Sequence, residues 1–257
     1  MTEFPRTRWT RDQLLLALRL YMRLPFGRLH RRNPEIIAIA AKIGRTPDAL
    51  AMKACNFASL DPKQRERNIK GLSGASEADR HIWAEFIDNP EALAAEAEEA
   101  FAQALPAKAA REEAAITPPF GETEVARLVR PRRVQSFFRA AVLTTYARRC
   151  AITGIALPEL LVASHIIPWV VSIKHRADPT NGLCLNALLD RAFDRGLITL
   201  DESFRVVVSR RLREGIVDAA LDCSLTTIEG RKLMLPDRFP PDVTAIAYHR
   251  ENVFTSD

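Results

Sequence analysis

The chain has 257 residues, 47% of them apolar, and a formal net charge of +5. That length supports two small domains with real cores, and no apolar run approaches the length of a bilayer span. Met1 is followed by the polar, basic TEFPRTRWT and not by a signal peptide, so a cytoplasmic protein without membrane contact is expected.

The charge is unevenly spread. Residues 1–70 carry a net +9, residues 71–125 a net −9 and residues 126–257 a net +5. Basic regions attract phosphate backbones. The acidic middle reads as a solvated spacer, with a partner-docking surface as the alternative. The expected division is therefore 1–70, 71–125 and 126–257.

The first 60 residues read as three helices. Thr10 caps the first, and Leu14, Leu15, Leu18 and Tyr21 follow at helical spacing. Asn33 and Pro34 open the second as cap and N1 proline, and Gly44 breaks it. Thr46 and Pro47 open the third. Two helices joined by a short glycine-containing turn make a helix-turn-helix pattern, which resembles a Myb-like or homeodomain-like unit. Its third helix would read DNA, with Arg45, Lys53 and Asn56 as contacts. Arg28, His30, Arg31 and Arg32, in the loop before the second helix, would grip phosphates. An ordinary three-helix bundle used for packing or dimerisation has the same pattern.

Residues 75–104, rich in Ala and Glu, are expected to form one or two helices, and 105–121 a linker. An amphipathic helix follows in VQSFFRAAVLTTYARRC. The stretch LLVASHIIPW reads as an apolar strand carrying His165 and closed by Pro168. Asn181 lies in the turn sequence PTNG. A short helix from Asn186 to Arg195, ended by Gly196, places Asp190 and Asp194 one turn apart on one face. LITLDESFRVVVS then alternates like a hairpin, RKLMLPDRFPPD is loop-rich, and Val243 to Asn252 should close the chain as a helix.

The segment from His165 to Asp194 offers a base, a loop-holding amide and two carboxylates. A neutral imidazole takes a proton from water near pH 7. Two like charges at i,i+4 cost a helix about 0.2–0.5 kcal/mol, and a divalent cation reverses that sign. Carboxylate oxygens favour Mg²⁺ or Mn²⁺ over zinc. Each residue also has an ordinary structural reading: a core histidine, a turn asparagine, two surface carboxylates. The ordered set is what suggests a one-metal phosphodiester-hydrolysing site. The four cysteines, Cys55, Cys150, Cys184 and Cys223, form no C-x-x-C pair, so no structural zinc is expected.

Residues 132–200, with AYHRENVF more loosely, resemble an HNH nuclease domain, the ββα-metal fold. NGLCLN and RAFDRGLIT carry the most specific part of the likeness and resemble a bacterial subgroup of restriction-endonuclease-like proteins. With the N-terminal helical, helix-turn-helix-like domain read above, the expected fold class is α+β; the resemblance implies a ββα-metal nuclease domain. It implies His165 as general base, Asn181 as the residue tying the two strands together, and Asp190 and Asp194 as ligands of one Mg²⁺ or Mn²⁺. Ser164 and Leu189 occupy positions where relatives often carry Asp or His.

The expected function is metal-dependent hydrolysis of double-stranded DNA, leaving 5′-phosphate and 3′-hydroxyl ends, in restriction or phage defence by analogy. One site cuts one strand, so a homodimer is expected, with a monomeric nickase as alternative. Two further readings stay open: a non-catalytic DNA-binding regulator on a decayed HNH fold, and a nuclease component active only in a larger complex.

Overall fold

The computed structural model describes residues 8–62, 64, 74–114, 125–215 and 225–256. They fall into two compact units that divide between Thr144 and Thr145, not at 70 and 125. Among the described residues no helix is long and apolar enough to cross a membrane.

The first unit is helical: α1 (Arg11–Arg23), α2 (Pro34–Lys42), α3 (Pro47–Leu60), α4 (Glu77–Asp88), α5 (Pro90–Ala104), α6 (Pro106–Ala114) and α7 (Val125–Thr145). Local sequence sets the starts. Thr10 and Gln13 close a reciprocal capping box on α1, and Asn33 and Thr46 cap α2 and α3 ahead of N1 prolines. Ser76 closes a second capping box, with Asp79, on α4, and Asn89 caps α5 ahead of Pro90.

Helix α1 is the hub. It packs on α3, α4 and α5, and nine consecutive residues from Leu14 to Met22 are buried. The acidic segment is thus not a spacer: α4 adds Trp83, which meets Tyr21 edge-on at 6.0 Å and lies 6.0 Å from Phe86, and α5 adds the buried Leu93, Ala97 and Phe101. The expected linker is also corrected, because its first part forms α6. Residues 115–121 of it lie outside the described residues.

One buried cation organises this unit. Arg19 is fully buried and pairs with Glu35, Glu98 and Glu112 at 3.1, 3.0 and 2.7 Å, linking α1 to α2, α5 and α6. Its guanidinium lies 3.4 Å from the Phe101 ring centroid. Burial pushes the Glu35 carboxyl up, but Arg19, Lys108 and Arg23 outweigh it and hold the group below its ordinary value.

Among the described residues the second unit contains two antiparallel strand pairs and α-helices, in the order β1 (Leu161–His165), β2 (Gly182–Asn186), α8 (Ala187–Asp194), β3 (Ile198–Leu200), β4 (Val206–Val208), α9 (Arg210–Gly215) and α10 (Val243–Asn252). In the β1–β2 register Leu161 faces Asn186 and His165 faces Gly182. β2 runs directly into α8, and α8 packs back on both strands and on β3. Cys150 and Cys184 are buried; Cys223 lies outside the described residues.

The end of α8 requires glycine. Gly196 has φ +67°, and a Cβ there would meet the Val253 carbonyl oxygen. The C-terminal segment docks on it: Thr255 N–H donates to the Gly196 carbonyl at 2.9 Å and Phe254 N–H to that of His249 at 2.9 Å.

Candidate active site

The β1–β2–α8 succession brings the predicted groups together. His165 ends β1, and the Asn186 side chain at the end of β2 accepts from the Leu188 and Leu189 amides at 3.1 and 3.0 Å, fixing the start of α8. Leu189, Ala192 and Phe193 form the buried stripe of α8. Asp190 and Asp194, four residues apart, share another face. His165, Asp190 and Asp194 all line one cavity of about 420 Å³, together with Ser164, Trp169 and His249.

The His165 ring is oriented from several sides. Its Nε2 lies 3.1 Å from the Arg176 carbonyl. A carbonyl only accepts, so Nε2 carries the hydrogen and Nδ1 holds the lone pair of the neutral ring. Trp169 meets the ring edge-on at 5.5 Å. Arg176 in turn stacks on Trp169 at 4.8 Å and donates from Nε to the Trp169 carbonyl at 2.9 Å. Burial, which outweighs the Arg176 carbonyl bond, lowers the His165 pKa to about 4. The imidazole is therefore neutral at pH 7 and able to accept a proton.

Asn181 is buried and uses its whole amide. Oδ1 accepts from the Ile167 amide at 2.8 Å, and Nδ2 donates to the Ile167 and His175 carbonyls, both at 3.1 Å. Its backbone carbonyl accepts from Ile166 at 2.9 Å. It clamps the two ends of the loop that follows His165 to each other.

Asp194 stands at the exposed rim of the cavity. Partial burial and then the charge of Asp190 raise its pKa to about 6, against the opposing Arg191 and Arg195. A carboxylate raised by burial and by a neighbouring carboxylate, at the edge of a cavity, is a candidate cation or acid–base group. Among the described residues no group of three or more His, Cys, Asp or Glu side chains gathers as a metal cluster. The protein's own donors here are two carboxylates and the Ser164 hydroxyl, whose oxygen is buried and without a hydrogen-bond partner among the described residues. This all-oxygen set fits a hard ion that keeps most of its water.

His249 was visible in the sequence only as part of AYHRENVF. It lies in the wall, 1% exposed, stacked on Phe193 at 3.7 Å. Nε2 donates to the Phe193 carbonyl at 3.1 Å and Nδ1 accepts from the Thr199 hydroxyl at 2.9 Å. Both nitrogens are used, so it anchors α10 to α8 and β3. Arg176 and Trp169 were also missed as supports: their roles rest on a backbone carbonyl and ring contacts that spacing does not reveal.

The expected DNA-reading face differs from the structure. Arg45, Lys53 and Asn56 are all buried. Arg45 donates to Gln13 at 3.1 Å and to the Arg8 carbonyl at 2.8 Å, and stacks on Trp9 at 4.7 Å. Lys53 bonds Asp79 at 3.1 Å, and Asn56 bonds Asp79 and the Gly74 carbonyl at 3.2 and 3.3 Å. These three residues hold α3 to α1 and the start of α4; they are not surface readers. Arg31 and Arg32 do lie exposed with Arg28 and His30. Arg31 is 3.7 Å from Asp48.

Residues 150–201 match the family model described as HNH endonuclease. That span contains β1, β2, α8 and β3, and with them His165, Asn181, Asp190 and Asp194. No curated protein matches the chain.

Proposed function

We propose, from the HNH endonuclease match over residues 150–201, that the chain is a metal-dependent endonuclease acting on duplex DNA. The observation that carries this reading is the convergence of His165, Asp190 and Asp194 on one cavity. Asp190 and Asp194 would hold one Mg²⁺ or Mn²⁺, with Ser164 beside it. When bound, the ion supplies positive charge against the phosphate and the leaving oxygen.

The remaining chemistry belongs to the chain. His165 Nδ1 accepts a proton from a water molecule while the Arg176 carbonyl holds the other ring nitrogen. The water oxygen bonds to phosphorus as the bond to O3′ breaks, leaving a 5′-phosphate; the departing O3′ takes a proton from solvent. Asn181 keeps the loop, and hence the imidazole, in register. Arg191 and Arg195 line the cavity and offer positive charge to the phosphate backbone.

In the first unit the DNA-facing surface is the exposed loop with Arg28, His30, Arg31 and Arg32, in place of α3. Replacing Arg28, Arg31 and Arg32 with Ser should weaken duplex binding and reduce the salt dependence by about one unit of slope per lost phosphate contact. We further assign a homodimer, as two single-strand sites make a double-strand break, and a role in restriction or phage defence by analogy. Light scattering with and without DNA checks the dimer; a monomer accumulating nicked circles opposes it.

The rival is a DNA-binding regulator on a decayed site, favoured by the small donor set of two carboxylates. Supercoiled plasmid incubated with Mg²⁺, Mn²⁺ or chelator separates the two. Ion-dependent nicking supports the nuclease; binding without nicking supports the regulator.

A further inference from the structure

The β1–β2 loop carries an exposed apolar tip. Val170, Val171 and Ile173 are 85%, 50% and 60% exposed, an unusual clustering of large apolar side chains in water. The tip begins at Trp169, which lines the catalytic cavity and touches His165. It ends at Lys174, also exposed.

This tip is braced from below. Val171 N–H donates to the Pro168 carbonyl at 2.9 Å and Arg176 N–H to that of Ile173 at 3.2 Å. The Ser172 hydroxyl lies 2.8 Å from His175 Nδ1. Arg176 fastens one side of the loop to Trp169, and Asn181 fastens the other through Ile167 and His175. A stiff apolar projection flanked by cations, beside a cavity suited to a phosphodiester, has the attributes of a side-chain wedge for duplex DNA.

Resting on the nuclease reading above, we propose that Val170, Val171 and Ile173 press into the stacked bases next to the scissile phosphate and unstack or kink the duplex there. Continuity with the cavity selects DNA as the occupant: a backbone seated at His165 carries its neighbouring base pairs past the tip. Charge agrees, since Lys174 follows the tip and Arg191 and Arg195 line the cavity. The wedge makes easily unstacked steps, such as TA and CA/TG, the favoured cleavage positions.

The test uses the full chain with Val170, Val171 and Ile173 all changed to Ser, which removes apolar surface from exposed positions and spares the residues of the cavity. Duplexes carry 2-aminopurine within TA and CA/TG steps, with His165→Ala present in both proteins to keep the DNA intact. The tip-bearing protein should raise the fluorescence on binding, and the triple variant should not. With His165 restored, the triple variant should cut a fully paired duplex about tenfold more slowly, yet cut a pre-opened bubble at the unaltered protein's rate.

Equal fluorescence from both proteins, or equal slowing on duplex and bubble, would overturn the wedge. A variant that changes only from dimer to monomer in light scattering would instead make the tip an interface between copies. Fluorescence does not depend on cleavage. Failure of the unaltered protein to cut either substrate therefore counts against the nuclease reading, while the wedge is still decided by 2-aminopurine.

Discussion

The two units treat acidic side chains in opposite ways. Around Arg19 the first unit gathers Glu35, Glu98 and Glu112 and holds the Glu35 carboxyl below its ordinary value. The second unit sets Asp190 beside Asp194 and raises the latter to about 6. In the first unit cations outweigh the cost of burial, and the result is an interlock between helices. In the second a carboxylate is left in an unfavourable field that a divalent ion would relieve. Acidic residues are present in both clusters; what differs between these two is the direction of the shift and the cavity beside Asp194.

The largest expected effect is on chemistry. His165→Ala should lower cleavage by about 10²–10⁴-fold while leaving the circular dichroism spectrum and Mn²⁺ binding near those of the unaltered protein. Plasmid nicking alongside calorimetry checks this; unimpaired cleavage would remove the cavity from the mechanism and break the contrast between the units.

Next comes the interlock. Arg19→Ala leaves three glutamates around a vacated site and should cost about 3–5 kcal/mol, as breaking a buried pair does. Urea denaturation followed by tryptophan fluorescence reads it through Trp83, which packs against Tyr21 of α1. A loss under 1 kcal/mol would show that the cluster does not hold the helices.

The pH dependence sharpens the second side. His165 and His249 are both lowered from 6.5 to about 4 by burial. In the unfolded chain each gains a proton near 6.5; in the fold each stays neutral down to about 4. Their contribution is therefore complete above pH 6.5 and drains as pH falls towards 4, on the order of a few kcal/mol together. Melting curves between pH 4 and 7.5 should show this, and His249→Gln should flatten the slope. A pH-independent melting temperature would contradict the burial of both rings.

The smallest effect has the opposite sign from the Arg19 variant. The Asp194 carboxyl, raised from 3.8 to about 6, contributes fully below 3.8 and loses that contribution as pH rises through 6. Asp194→Asn should therefore raise the metal-free melting temperature slightly at pH 7.5. The same variant should weaken Mg²⁺ or Mn²⁺ binding in calorimetry. Unchanged ion affinity together with a lowered melting temperature would make Asp194 a structural residue like Glu98.

The sequence by itself determined the local elements and the order of the site. Caps at Thr10, Asn33, Thr46 and Asn186 act on amides two or three residues away, so helix starts are written locally. The i,i+4 relation of Asp190 and Asp194, and the His165-to-Asn181 loop, are likewise matters of spacing. Only the tertiary structure decided which polar groups face inward. Periodicity shows that Lys53 and Asn56 share a helix with Phe57, but their burial depends on Asp79, more than twenty residues on; that of Arg45 depends on Gln13 and Trp9. The acidic stretch looked solvated because charge composition does not reveal that Arg19 lies across from it. The hold of His249 on Phe193 joins residues 56 positions apart. A polar side chain is buried only where a partner offsets its desolvation, and that partner is chosen by the packing of distant segments.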